Sequence, residues 1–216
     1  MSALILKLIA AVTMTVDHAG LILFGNALWM RLVGRLAFPL YAFFIAEGFR
    51  HTKNRLRYFL MIFLLGVGCQ IVCAIADPGQ VLGVLLTFSL SIALMALTEM
   101  AKKDHRFIFA VPLAIAAVYV FCHYVWVDYG FFGVLLPWFA SLFEGKWNRL
   151  AAFAVGLSLL CVNAALSGNY PQSMALLAIP LLALYNGKRG KYKMKYFFYI
   201  FYPLHLAVIW GLALLF

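Results

Sequence analysis

The chain has 216 residues, of which 66% are hydrophobic and only 11% charged, with a formal net charge of +10. With a mean hydropathy of +0.99, this excludes a soluble globular domain, which has too little interior at this length to bury so much apolar surface. The apolar runs are continuous rather than alternating, which excludes a transmembrane barrel. The expected fold is all-α: a polytopic bundle of about nine transmembrane helices forming one domain over residues 1–216.

The first apolar run covers residues 3–24. It is too long for the core of a signal peptide and contains Asp17, so no cleaved leader is expected. A short uncharged turn over 25–30 leads to the second span, 31–50, and then to a basic loop with Arg50, His51, Lys53, Arg55 and Arg57. The third span is 58–76, closed by 77–80; the fourth is 81–100, closed by the basic segment 102–106; the fifth is 107–126, closed by 127–130. The sixth span, 131–143, ends at the basic segment 144–149, and the seventh, 150–166, is closed by 167–172. The eighth span is 174–185, the most basic loop is 187–195, and the ninth span is 196–216. The sixth and eighth are shorter than the roughly 17 residues needed to cross, so they are expected to be tilted, partly re-entrant or buried in the bundle.

Lys and Arg gather in the loops after the even-numbered spans and are absent from those after the odd-numbered ones. This alternation predicts a cytoplasmic N-terminus and an outer C-terminus. It accounts for most of the positive charge as topology signal and contact with the anionic bilayer surface, with a phosphate-bearing cytoplasmic ligand as the sharper reading. The loops are too short to read a nucleic acid groove, so no nucleic acid partner is expected. The four cysteines, Cys69, Cys73, Cys122 and Cys161, all lie in apolar runs without a Cys-x-x-Cys spacing. Neither a disulfide framework nor a metal site is implied, and no metal is expected.

Ionisable side chains inside the spans carry the functional expectation, because each is costly in hydrocarbon. Asp17 and His18 are adjacent in the first span, about 100° apart on a helix, so they face different neighbours. His18 shares its face with Met14, Ala11 and Lys7, a stripe that runs toward the cytoplasmic end. Arg31 and Arg35 open the second span, and Arg35 is the expected first partner of Asp17, since a buried carboxylate needs pairing. Counted at 1.5 Å per residue, His18 lies about 22 Å from the inner start of its span and His205 about 13 Å into the ninth, near mid-membrane. Glu47 and His51 fall at the inner mouth of the second span. Pro39 and Pro203 remove backbone donors beside Arg35 and His205, which suggests a polar pocket. Gln70, His123 and Asn163 are read as hydrogen bonds between helices. The alternative without chemistry is a structural Asp17–Arg35 ion pair with His18 as a hydrogen-bonded core histidine.

Four stretches carry a family resemblance. Lys7-x-x-Ala10-x-x-Thr13-Met14-x-x-Asp17-His18 resembles the opening signature of the TraX family, as do residues 34–40 (GRLAFPL) and 45–54 (IAEGFRHTKN). Residues 195–206 (KYFFYIFYPLHL), with Tyr202 and His205, resemble its closing signature, and 87–90 (TFSL) a weaker middle one. The resemblance implies an enzyme, a membrane-embedded acetyltransferase of the type that N-acetylates pilin, distantly similar to transmembrane acyltransferases. It implies acetyl-CoA as donor substrate, and as acceptor the amine of a protein N-terminus or a glycan- or lipid-linked group at the outer side. The expected location is the bacterial cytoplasmic (inner) membrane, multi-pass in the lipid bilayer.

The residues can be laid out to suit that chemistry. His18 is the candidate base, Arg35 the candidate electrostatic stabiliser of an oxyanion, and Asp17 holds one or tunes the other. An acetyl-histidine intermediate on His18 is the alternative. Lys7, Arg50, Lys53, Arg55, Arg57 and the 188–195 loop are candidates for the donor phosphates, and Glu47, His51, Tyr202 and His205 for the path of its pantetheine arm. His205 serves as tunnel lining or as a second base. The rival reading is a proton-coupled transporter or flippase of a small or lipid-linked substrate, although no inverted repeat accompanies the buried charges.

Overall fold

A computed structural model describes residues 1–76, 83–191 and 195–215. The predicted 77–80 closure and part of the 187–195 basic loop lie outside the described residues, as does the Cys73 side chain. The described chain is helical, with no strand among the described residues. Its helices are α1 (Ala3–Ile22), α2 (Leu28–Gly34), α3 (Ala37–His51), α4 (Arg55–Ala76), α5 (Val84–Lys103), α6 (Ala110–Tyr124), α7 (Gly130–Ser141), α8 (Lys146–Leu166), α9 (Ala178–Ala183) and α10 (Lys195–Ala213). Short 3-10 segments cover His105–Phe107 and Tyr170–Leu177. Among the described residues five helical stretches are long and apolar enough to cross a membrane: Ala3–Ile22, Leu28–His51, Val84–Lys103, His105–Tyr124 and Lys146–Leu166. The protein is an α-helical membrane protein.

Three spans differ from their sequence reading. The second is not one helix: the backbone turns at Arg35 and Leu36, and Pro39 sits in the first turn of α3. Proline is tolerated there because an N–H in the first turn has no partner inside the helix. The eighth is not an α-helix over 174–185, but the 3-10 segment Tyr170–Leu177 running into the six-residue α9. Basic segment 144–149 is not all loop, since α8 already starts at Lys146. Hydropathy windows see apolarity, not the hydrogen-bond ladder, so they miss breaks inside an apolar run and helical turns outside one.

The chain divides into two compact units, residues 1–41 with 157–216 and residues 42–156, the boundaries falling within α3 and α8. In the first unit α1 is central. Ser2 caps its start by accepting from the Ile5 N–H. The buried stripe Ala3, Leu6, Ala10, Thr13 and Gly20 recurs at three- and four-residue spacing, and Asp17 falls on that same stripe. A tight turn through Gly25 (φ 56°) and Asn26 (φ 64°) reverses the chain. Glycine and asparagine are the residues that tolerate this left-handed backbone. α2 returns antiparallel and very close: a Cβ on Gly20 would meet the Met30 Cβ at 2.5 Å, and one on Gly34 would meet the Asp17 Cβ at 2.2 Å. α10 runs parallel to α1. The start of α1 is joined to the segment that precedes α10 through the Ala3 N–H to Lys188 O (2.9 Å) and the Leu4 N–H to Arg189 O (3.2 Å).

In the second unit α3, α4 and α5 alternate in direction, and α7 packs parallel to α5. α3 and α4 form a hairpin in which Gly48 lies against the Tyr58 ring. α4 and α5 are tied at one end by Arg55 with Glu99 (2.8 Å) and at the other by the Gly83 N–H to Gln70 Oε1 (2.9 Å). Gln70 thus makes the interhelical hydrogen bond expected of it. α5 carries a polar seam toward α7: Thr87 donates to Asp128 O, Ser91 to Val134 O, and Trp138 Nε1–H to Thr98. Such short-range satisfaction is how hydroxyls are accommodated in an apolar bundle. His123 packs against the Tyr124 ring, and Asn163 is exposed on α8, so neither makes the predicted tie among the described contacts.

Candidate active site

α1 presents two faces at one level. The Asp17 face meets α2, and the carboxylate pairs with Arg31 at 2.6 Å, with side chains only 15% and 18% exposed. This corrects the sequence expectation of Arg35 as first partner. The reason is the break after Gly34: with α2 ending there, Arg35 lies in the turn, and its Nη1 donates instead to Gln172 Oε1 at 3.2 Å. Gln172 is 2% exposed. It was read as part of a closing loop, but the 3-10 segment folds it inward, where the Cys161 thiol contacts its backbone oxygen.

The His18 face meets α10. His18 Nδ1 lies 3.0 Å from His205 Nε2, with ring centroids 5.0 Å apart. His205 was expected some 9 Å shallower than His18, the difference between the two depths counted at 1.5 Å per residue. The structure puts the two rings at one level. Counting along a helix assumes that each helix begins at the membrane surface and stands upright, and helix ends and tilts obey neither condition. The parallel course of α1 and α10 is what makes the meeting possible. Pro203 lies inside α10 two residues before His205, and the helix continues through it.

Hydrogen-bond chemistry fixes the tautomers. His205 Nδ1 lies 2.9 Å from the Phe201 carbonyl oxygen. A carbonyl only accepts, so this nitrogen carries the proton. With both rings neutral, the form an apolar bundle favours, His205 Nε2 is then the acceptor and His18 Nδ1–H the donor. The chain of donations runs from His18 to His205 to the Phe201 backbone, and it leaves the lone pair of His18 Nε2 unused by that chain. The His205 ring is held by Phe201 stacked at 5.1 Å and by the Tyr202 edge at 5.7 Å.

Along the same α1–α10 seam lies an apolar groove of about 280 Å³ lined by Leu8, Ala11, Val12, Thr15, Val16, Phe197 and Phe201. Lys7 stands next to it, its Nζ 5.8 Å above the Phe198 ring. The face that carries the Lys7, Ala11 and His18 stripe is therefore the one turned to α10.

The second unit holds a separate polar cluster. Glu47, 9% exposed, receives Arg149 Nη1 at 2.7 Å, His51 Nε2 at 3.2 Å and Arg50 Nη1 at 3.8 Å. Arg149 is 4% exposed; its Nε–H donates to Ala140 O at 3.0 Å and its guanidinium lies over the Phe43 ring. Glu47 was assigned to an open inner mouth, yet it is a buried carboxylate with a buried counter-ion. Arg50 and His51 are more exposed, and Lys53 is exposed in the turn after α3. Among the described residues no group of three or more His, Cys, Asp or Glu side chains is placed to share a metal ion.

Three residues of these clusters escaped the sequence reading. Arg31 was noted but ranked second to Arg35. Arg149 was counted with loop charges, although Leu150 and the apolar run after it put it in the first helical turn. Gln172 follows Pro171 in a polar stretch and carries no local signal of burial.

Comparison with known proteins bears on what these residues belong to. A protein of Dichelobacter nodosus named "Probable fimbrial assembly protein FimC, serogroup H1" is 29% identical over 234 aligned residues, covering 96% of this chain and 94% of that protein. The uncharacterized protein RP591 of Rickettsia prowazekii (strain Madrid E) is 39% identical over 67 residues, covering 31% of this chain and 25% of its own length. No solved structure matches the chain. The family described as TraX protein matches residues 2–213, which contain both the His18–His205 and Asp17–Arg31 pairs, and the chain belongs to the TraX family.

Proposed function

We propose that this protein is a membrane-embedded acetyltransferase that moves an acetyl group from acetyl-CoA to an amine or hydroxyl acceptor. The observation that carries the reading is the His18–His205 pair, whose hydrogen bonds make His18 Nδ1 the donor and so put the basic lone pair of the ring on Nε2. In the step proposed, the acceptor lone pair attacks the thioester carbon while its proton passes to His18 Nε2. The carbonyl π pair moves onto oxygen; collapse then breaks the C–S bond, and the departing thiolate takes the proton back from His18. His205 orients His18 and supports the transient positive charge on it, as an acceptor placed on the far nitrogen does for other catalytic imidazoles.

The apolar groove leading from Lys7 suits the linear arm of the donor, and Lys7 with the 188–191 strap provides cations for its phosphates. Arg50, His51 and Lys53 are proposed to attract the polyanion to the basic membrane face. That face is assigned to the cytoplasm by the loop charges, which implies a bacterial inner membrane protein with its first residues inside and an acceptor presented from outside. The name of the FimC relative favours an acceptor used in fimbrial assembly, such as a pilin-like N-terminus.

The test is transfer of radiolabelled acetyl from acetyl-CoA by the purified protein in nanodiscs, with His18→Ala as control. Acetyl-CoA binding and label transfer that disappear in His18→Ala are expected. No binding and no exchange in the wild-type protein would sink the enzyme reading, and substrate flux in proteoliposomes driven by a pH gradient would replace it with transport.

A further inference from the structure

Beside the base, the first unit holds unfilled hydrogen-bond donors. Arg35 Nη1 donates to Gln172 Oε1. A guanidinium only donates, so the amide oxygen faces Arg35 and the Gln172 NH2 is turned elsewhere. Arg35 Nε and Gln172 Nε2 are both buried without a hydrogen-bond partner. Gln172 is 98% removed from contact with solvent, being 2% exposed. Among the described residues no carboxylate lies within ion-pair distance of Arg35, because Asp17 is taken by Arg31. This guanidinium has the charge of Asp17 nearby but no carboxylate in direct contact, and the amide it holds carries a second unfilled donor. Such donors are costly to leave empty, and the group that fills them is an oxygen bearing negative charge.

The backbone places Arg35 at the level of α1 that carries the candidate base, on the neighbouring Asp17 face. Arg35 follows Gly34, and Gly34 approaches Asp17 so closely that a Cβ there would lie 2.2 Å from Asp17 Oδ1. Asp17 in turn precedes His18. The turn that carries Arg35 is thus anchored against α1 one residue away from the imidazole. Gly34 has no side chain to hold the two helices apart.

We infer that Arg35 Nε and Gln172 Nε2 form the oxyanion site for the acyl carbonyl, which makes Gln172 a catalytic residue. The inference rests on the acyl-transfer reading. As the acceptor attacks, the carbonyl oxygen gains the π pair and its charge; the two N–H donors receive it, and they release it when the C–S bond breaks and the carbonyl re-forms. No other reactant is needed.

Two measurements test this. The first is isotope-edited infrared spectroscopy of acetyl-CoA labelled with carbon-13 at the thioester carbonyl, bound to the full-length His18→Ala protein, which cannot turn it over. A stretch below that of free acetyl-CoA is expected, moving part of the way back toward the free position in the His18→Ala/Gln172→Glu double variant, where Arg35 Nε remains. The second is kinetics of Gln172→Glu, which keeps an oxygen facing Arg35 but replaces the NH2 donor by a charged carboxylate oxygen. It should lower kcat by roughly 10²–10³-fold, the loss seen for a single oxyanion donor, with KM for acetyl-CoA changed less than about 3-fold. An unshifted carbonyl in the His18→Ala protein, or wild-type kcat in Gln172→Glu, overturns the inference and leaves acyl transfer standing. If Gln172→Glu does not fold, the carbonyl position in the His18→Ala protein alone decides. Failure of the wild-type protein to bind acetyl-CoA overturns the acyl-transfer reading, and this inference with it.

Discussion

Replacing Arg31 by methionine removes the counter-ion of Asp17 while keeping a long apolar side chain in its place. At 2.6 Å and an effective dielectric constant of about 20, the attraction is about 6 kcal/mol. Desolvation of the two ions offsets most of this within the intact pair. Once Arg31 is gone, however, the carboxylate bears its desolvation with only the more distant charge of Arg35 to offset it. It remains wedged over Gly34, with no other cation within ion-pair distance among the described residues. The expected loss is about 3–5 kcal/mol, the range for breaking a buried pair. Adding Asp17→Leu should restore most of it, because an apolar pair of similar volume is close to neutral. The assay is equilibrium unfolding in mixed micelles with rising sodium dodecyl sulfate, run as two double-mutant cycles, Asp17 with Arg31 and Asp17 with Arg35. Coupling above about 2 kcal/mol is expected for Arg31, and coupling near the roughly 0.5 kcal/mol additivity limit for Arg35. The reverse pattern would refute the pairing and return Asp17 to the partner suggested by spacing.

Gly34→Ala puts a methyl group 2.2 Å from the Asp17 Cβ, against a normal carbon contact of about 3.5 Å. It should cost about 1–3 kcal/mol in the same unfolding assay and displace Arg35 enough to depress acetyl transfer. Arg149→Met removes the buried counter-ion of Glu47, which keeps His51 and Arg50, and should lose up to about 3 kcal/mol, with Glu47→Leu as the rescuing second change. His205→Ala should lower the transfer rate by at least 10-fold, whereas His205→Gln, which still offers an acceptor, should retain more activity than alanine does. Rates that rank the other way would remove His205 from its positioning role. For topology, a cysteine in place of Leu28, which is 62% exposed, should react with an impermeant maleimide from outside the cell once the native cysteines are removed. Labelling from the cytoplasmic side alone would invert the orientation.

Much of the fold is legible in the sequence because a bilayer imposes continuous apolar runs, and most helices fall within a few residues of those runs. The unread parts have specific causes. The turn at Arg35 and Leu36 sits inside an unbroken apolar stretch, so it is invisible to hydropathy, and it is this turn that sends Arg35 to Gln172. In a tight α1–α2 hairpin, Asp17 lies opposite Gly34, and Arg31 and Arg35 flank that level almost equally. Spacing alone cannot choose between them. The separation of Asp17 and His18 onto different faces follows from helix geometry and is what the structure contains. The meeting of His18 with His205 has no local signature at all; only the two terminal stretches resembling one family hinted that they belong together. Arg149 and Gln172 stayed hidden among residues that ordinarily mark loops.

His18 and His205 are separated by 187 positions in the chain, whereas Asp17 and Arg31 are separated by 14. During synthesis the carboxylate therefore meets its counter-ion almost as soon as the first hairpin enters the bilayer. The imidazole waits until the last helix has been made and inserted alongside α1. A nascent chain that has passed Arg31 but lacks α10 holds a neutralised Asp17 and a His18 without His205. On this order of assembly, an unfinished or truncated protein can be stably anchored in the membrane and still be chemically silent.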